Sequence, residues 1–440
     1  MIKYTRLFVS FLLVVIIAEA RAQSTATTSS PYSRFGIGDF SNQLMPQNIG
    51  MGGISTATNI INNFRNVNVI NPAANAYIDY TVIDAGIATD FLTLKQSGVI
   101  GSDKSSNLRL SHIAIGLPIN EHSALAFGLM PYSQVGYNYK QTSKNFNTSL
   151  PSDTNAVNYI YSGEGGLSKA FLGYGVTLFR HLAIGANVSY IFGSLKQFQS
   201  TEIPNLYGVL DSRVEQDNHV GGFNLDYGAQ YTFDFSTSQH LTLGYSASIG
   251  NKLNVQNSYI VSQYTYDSQG NQNNPADTLV NNQSPNGKLQ LPRINHYGFA
   301  FRKDGYYLIG AEFTTGNWSD LSIAGTNAGL QNNKMFNIGA SIVPNPNSLS
   351  NYLALVDYRI GFIYEDTYLN VNNVDIKRYA VTFGFGIPLP HDRVSSAFYK
   401  VNFSVEAGKR GTMQVVQENY VNLNLGFTLN DRWFQRFKFE

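Results

Sequence analysis

From residue 81 to residue 429 the chain repeatedly alternates apolar and polar side chains with a period of two, and this constrains its fold more than any other feature. Near the C-terminus Val421, Leu423, Leu425, Phe427 and Leu429 alternate with Asn422, Asn424, Gly426 and Thr428. The same pattern runs through Tyr399 to Ala407, Tyr379 to Ile387 and Tyr352 to Tyr364. In an extended chain successive side chains point to opposite faces, so each such segment is a strand with one greasy and one hydrophilic side. Fourteen segments read this way, near 81–92, 108–118, 123–136, 169–179, 182–193, 221–233, 240–250, 292–302, 306–315, 334–343, 352–364, 377–388, 398–408 and 419–429. Most have about the 9–11 residues that a tilted strand needs to cross a bilayer.

Alternation alone also fits a soluble β-sandwich, and composition decides between the two. Charged residues are 13% of the chain, about half the usual ~25%, while Tyr and Phe number 28 each and Gly 39. A soluble sandwich would carry Lys and Glu on its outward faces. Here Asp84, Asp226, Glu312, Asp357, Arg359 and Glu406 all fall opposite the apolar face of their strands. A charge turned to lipid at mid-depth would cost ~2–4 kcal/mol if basic, so these positions predict a lumen. The reading is an all-β, 14-stranded antiparallel transmembrane barrel in the outer membrane. The joints expected to be long, 93–107, 137–168, 194–220, 251–291, 316–333, 365–376 and 409–418, fall at alternate positions, which predicts external loops and both chain ends in the periplasm.

The first residues set the compartment. Lys3 and Arg6 flank an apolar run from Leu7 to Ala18, followed by Ala20 and Ala22, the pattern of an export signal cleaved after residue 22. That run is too short for a spanning helix, which needs ~20 residues. The chain has no cysteine, and its 30 Lys and Arg nearly balance its 29 Asp and Glu. The balance leaves no footprint for nucleic acid, and the missing thiols remove disulfides and thiolate metal sites. The organisation expected is therefore a signal over 1–22, a plug over 23–80, the barrel over 81–429 and a periplasmic tail over 430–440.

Residues 23–80 contain Pro31, Pro46, Pro72 and the cluster Gly50, Gly52, Gly53, with little sustained alternation. A barrel of this width leaks unless filled, and the segment ahead of the first strand is placed to fill it. Within it, Asn48-Ile-Gly-Met-Gly-Gly-Ile-Ser-Thr-Ala57 followed by Asn71-Pro72-Ala73 resembles the hatch of the FadL-type outer-membrane transporters of hydrophobic compounds. The opening Pro31-Tyr-Ser-Arg-Phe-Gly-Ile-Gly-Asp39 and the ending Asn430-Asp-Arg-Trp-Phe434 are similar to the Bacteroidetes branch of these barrels, which includes the shuttle of the type nine secretion system. The resemblance implies passive uptake of fatty-acid-like or aromatic molecules through a plugged lumen. Its alternative is a barrel that binds secreted or surface proteins through long external loops. It also implies a lateral gap at Pro131 in the third strand, lined by Asn71, Pro72 and Ala73. A proline at a strand end is the alternative for Pro131.

Gly50, Gly52 and Gly53 read as hatch turns, since no strand–glycine–helix context or Gly-Lys-Ser/Thr supports a phosphate cradle. The seven histidines are scattered, and His112 and His296 read as polar lumen residues. No nucleophile elbow is present, so no enzyme and no cofactor is expected. The expected partners are outer-membrane lipid, a hydrophobic small molecule and possible secreted or surface proteins. Arg432 to Phe439 joins basic and aromatic residues, a composition suited to the membrane interface.

Overall fold

A computed structural model describes residues 28–98, 101–144, 156–204, 209–266, 277–390 and 397–433. The signal and most of the tail lie outside the described residues. The fourteen expected segments are all strands: β1 Thr81–Lys95, β2 Asp103–Asn120, β3 Ser123–Ser143, β4 Val157–Leu178, β5 Leu182–Glu202 and β6 Asp211–Ser236. Strand β7 runs as Gln239–Ser248 and Lys252–Tyr264, and β8 as Asp277–Gln290 and Ile294–Lys303. The rest are β9 Tyr307–Gly316, β10 Asn333–Ile342, β11 Asp357–Val371, β12 Val374–Leu389, β13 Phe398–Gly411 and β14 Gln417–Asp431. Each pairs antiparallel with its neighbours, and β14 closes on β1 from Gln417↔Lys95 to Asp431↔Thr81. Closure removes the unpaired edges that lipid cannot hydrogen-bond.

The period-two pattern sorts side chains as expected. Ile360, Phe383, Val421 and Leu425 are exposed on the outer wall, while Asp84, Asp226, Glu312, Asp357, Arg359 and Glu406 are buried on the inner one. Two expectations need correction. The start of the eleventh segment is a 3-10 turn, Tyr352–Leu355, because Asn351 accepts from the Leu353 amide and caps it before the strand begins. Most external joints are also shorter than expected, though 317–332 keeps its length: β6 has 26 residues, and β11 meets β12 through Asn372 and Asn373 alone. Beyond the lipid both faces of a strand are polar, so the hydrophobic alternation stops although the backbone ladder continues.

Strands β3 to β7 bend along one line. Strand β3 slips register between Pro131 and Ser133, and Leu167 of β4 stands between Ser133 and Gly193 of β5. Strand β7 breaks at residues 249–251. Gly165 (φ +107°) and Gly193 (φ +149°) carry the bend in β4 and β5, and a Cβ there would lie 2.3 and 2.2 Å from the Ser194 and Gly166 carbonyl oxygens. Only glycine fits such a position without strain. Above the line, Tyr132 through Tyr137 of β3 are consecutively buried, so both faces of the strand are covered. Tyr132, Leu167, Ile191, Leu195, Val220, Leu253 and Leu289 pack there with Tyr32 and Ile37 of the N-terminal segment and with Trp318 and Tyr368. The upper parts of β3 to β8 therefore form an apolar lid.

Strand β2 does not follow this bend. It pairs with β3 only from Ile113↔Leu129 to Asn120↔Ser123, yet pairs with β1 up to Asp103↔Leu94. A seam between β2 and β3 opens above Ile113.

Candidate functional site: the occupied lumen and its seam

The N-terminal segment lies along the inner wall, and glycines make the close approach possible. At one level the inward positions are Gly116, Gly175, Gly185, Gly228, Gly244, Gly298, Gly310, Gly339, Gly361, Gly384 and Gly426, one from nearly every strand. A Cβ on Gly339 would fall 2.0 Å from the Met51 carbonyl oxygen, and one on Gly361 would fall 2.1 Å from the Gly52 nitrogen. The two backbones touch without side chains between them. Gly52 and Gly53 have φ of +67° and +82° and turn the segment here, whereas Gly50 is helical and caps Pro46–Ile49. Thr382 secures the turn, accepting from the Gly52 amide at 2.8 Å and donating to the Gly50 carbonyl at 3.1 Å.

Asn71, Pro72 and Ala73 begin a 3-10 turn whose cap is the Asn71 side chain, which accepts from the Ala73 amide at 3.1 Å. They pack on Gly175, Gly185 and Gly228 of β4 to β6. Pro131 stands where β2 and β3 part and lines a different chamber. Asn71, Pro72 and Ala73 thus seat on the glycine wall of β4 to β6, while Pro131 lines the chamber beside the seam.

Charges fix the segment to the wall. Glu312 of β9 accepts from the Ser55 and Thr56 amides at 2.8 Å each, with His296 at 3.3 Å. Asp84 of β1 accepts from Gln47 at 3.0 Å and meets His112 at 2.9 Å. Asp357 holds Asn62 at 2.6 Å, Arg359 at 2.7 Å and Lys400 at 2.8 Å. Arg410 of β13 reaches Asp39 at 2.9 Å and Glu418 at 2.7 Å, and Glu418 accepts from Ser30 at 2.5 Å. Lys169 joins Asp226 at 2.7 Å to Gln43 at 2.6 Å. A charge removed from water persists only when paired and hydrogen-bonded, and each of these is. Burial, with the nearby Glu418 charge, pushes the Tyr32 phenol up to about 12, which keeps it a neutral donor to the Val416 carbonyl.

Two adjoining chambers lie beside the N-terminal segment among the described residues. One, of about 190 Å3, reaches from the N-terminal segment to Pro131 and is lined by Asp39, Asp90, Arg109, Arg378, Arg410 and Glu418 among others. The other, of about 110 Å3, is more aromatic, with Phe40, Tyr132, Trp318 and Tyr368 on its walls. Phe40 stands edge-on to Tyr132 and Trp318, each at 5.2 Å, and Trp318 stacks on Tyr368 at 4.2 Å. No group of three metal-type ligands occurs among the described residues. The sequence reading missed the glycine girdle and the anchors Thr382, Lys169, Lys400 and Arg410. Each predicted strand does show a glycine at an inward position, so the girdle left a signal. What each anchor grips left none.

Fourteen antiparallel strands closed around an N-terminal segment, with buried charges along the inner wall, define a closed β-barrel with the fold of the FadL-type barrels. The solved structures it resembles are of that class. The toluene transporter TodX of Pseudomonas putida matches with a TM-score of 0.59 at 14% identity, over 88% of this chain and 98% of that one. A Pseudomonas aeruginosa FadL homologue matches at 0.54 and 10%, over 91% and 99%. The toluene transporter TbuX of Ralstonia pickettii matches at 0.54 and 13%, over 88% and 98%. At such identities the likeness establishes the fold. The chain belongs to the BamG family, whose model matches residues 1–440. No curated protein sequence matches it.

Proposed function

We propose that this protein is a non-conducting outer-membrane barrel that acts by binding a protein partner, with residues 28–80 as a fixed plug. One observation carries this reading: the chamber beside the seam is walled by ion pairs, Arg109 with Asp90, Arg378 with Glu365 and Glu406, and Arg410 with Asp39 and Glu418, beneath an apolar lid. A hydrophobic solute leaving sideways would have to cross that charged chamber and give up the apolar burial, ~25 cal/mol per Å2, that favours its entry. Protein contact needs no such route. The test is solute entry into liposomes holding the full chain. Swelling in arabinose should stay at background, and deleting residues 28–80 should raise it at least tenfold. Rapid swelling with the intact chain would overturn the reading.

A second reading is uptake of a small hydrophobic molecule with lateral release at Pro131. It is favoured by the aromatic chamber of about 110 Å3, of a size to seat one aromatic ring, and by the likeness to the toluene transporters TodX and TbuX. Binding of toluene by the detergent-solubilised chain, abolished by Trp318→Asp, would support it.

A further inference from the structure

Along one arc of the outer wall the apolar face of the strands gives way to lysine, at the end of the barrel away from Asp431. In β10 and β12, Lys334 and Lys377 are the next outward residues above Phe336 and Tyr379. In β13, Lys409 stands above Ala407. In β1 and β2, one polar residue intervenes before Lys95, above Phe91, and Lys104, above Leu108. All of these lysines are exposed.

Strand register gathers them. Lys409 pairs across to Tyr379, so Lys377, two residues along β12, is its diagonal neighbour. Thr93 pairs with Lys104, which makes Lys95 and Lys104 diagonal neighbours in the same way. Such neighbours lie about 7–8 Å apart, close enough for two ammonium groups to reach one anion. Between the two pairs stands β14, whose Asn419 faces both Lys409 and Thr93.

Acid does not offset this arc. Asp366 lies between Lys334 and Lys377 and pairs with Lys377 at 3.2 Å, while Asp375, farther out, accepts from Asn370 at 2.7 Å. Lys95, Lys104, Lys334 and Lys409 have no ion pair among the described residues. The arc of β5 and β6 differs, since Lys196 and His219 there share Asp217 at 3.7 and 3.4 Å. Like charges set side by side repel, so the lysine arc calls for an anion from outside the chain.

We infer that this arc binds the phosphate of a lipid headgroup in the outer leaflet, held by Lys95 with Lys104 and by Lys377 with Lys409, with Lys334 at the margin. A lysine at the end of an apolar face lays its stem over that face and lifts its ammonium to headgroup level. Below it, the exposed Phe91, Val421 and Phe383 meet the acyl chains of the same lipid. Charged and apolar parts of one molecule thus match the wall in order, whereas a soluble anion would match the lysines alone. The site lies on the outer wall and does not depend on whether the barrel binds a protein.

The test titrates the full chain in detergent with lipid A, a glycolipid bearing two phosphates, and separately with its dephosphorylated form. Native mass spectrometry counts the lipid bound. The wild type should hold the phosphorylated lipid about tenfold more tightly or better, and combining Lys95→Gln, Lys104→Gln, Lys334→Gln and Lys409→Gln should bring the two lipids within about twofold. Changing Lys196, Lys252 and Lys288 to Gln, in β5, β7 and β8, should leave the preference intact. Variants are first checked for compact mobility in unheated SDS gels, and if the quadruple variant lacks it, Lys95→Gln with Lys104→Gln is tested in its place. Equal affinity of the wild type for both lipids, a preference that survives these changes, or one lost equally in the control variant would overturn the proposal. So would displacement of the lipid by inorganic phosphate at equal phosphate concentration, which would make the arc a site for the free anion.

Discussion

Single residues decide how tightly the N-terminal segment is held. Asp357 is buried between Arg359, Lys400 and Asn62, so Asp357→Asn strands two cations out of water. It should cost about 3–5 kcal/mol, read as a fall in the urea midpoint in detergent. Lys400→Met leaves the Asp357–Arg359 pair intact and should stay within about 1 kcal/mol of wild type in the same measurement. A reversed order would mean that Asp357 is not the centre of the cluster. Gly193→Ala must place a Cβ 2.2 Å from the Gly166 carbonyl oxygen at φ +149°. It should destabilise by about 1–3 kcal/mol, seen as a lower temperature for the loss of compact mobility in SDS gels.

At the scale of elements, the N-terminal segment is fastened to the strands by carboxylates and seated on glycines. Glu312→Gln keeps the shape of the acceptor but loses its charge towards two amides and His296. It should weaken the attachment by about 1–3 kcal/mol and speed proteolysis within residues 28–80 while β10 to β14 stay resistant. Unchanged cleavage would show that the glycine seating alone holds the segment. The strands themselves were legible because two faces meeting different media enforce alternation. Their external extensions were not, since Asn257, Ser258, Asn281 and Asn282 pair as well as any residues yet meet water on both sides. Pro131 was conspicuous in the sequence, but that proline says only that a donor is missing. That β3 turns inward there, while β2 continues, depends on Gly165 and Gly193 in neighbouring strands.

For the whole molecule, an almost neutral chain buries charged pairs along the inner wall of its barrel and exposes many aromatics on the outer wall, the reverse of a soluble protein. The buried pairs lie beyond the reach of counterions. The unfolding midpoint should therefore shift by less than about 0.5 kcal/mol between 0.05 and 0.5 M salt at constant detergent, since screening acts on exposed charges. A large salt dependence would place the stabilising pairs at the surface instead.

Local patterning along the chain set the class of fold, the number of strands, the outward-facing apolar positions and the residues that turn inward. These follow from one local rule, that neighbouring side chains on a strand point in opposite directions. It also marked Gly52 and Gly53 as turns. Long-range packing placed Asn71 to Ala73 on the glycines of β4 to β6, set Glu312 and Asp357 to grip the N-terminal segment, and parted β2 from β3. Those outcomes depend on the register between strands and on which residues far apart in the chain come within hydrogen-bonding reach, and a period of two carries no information about either.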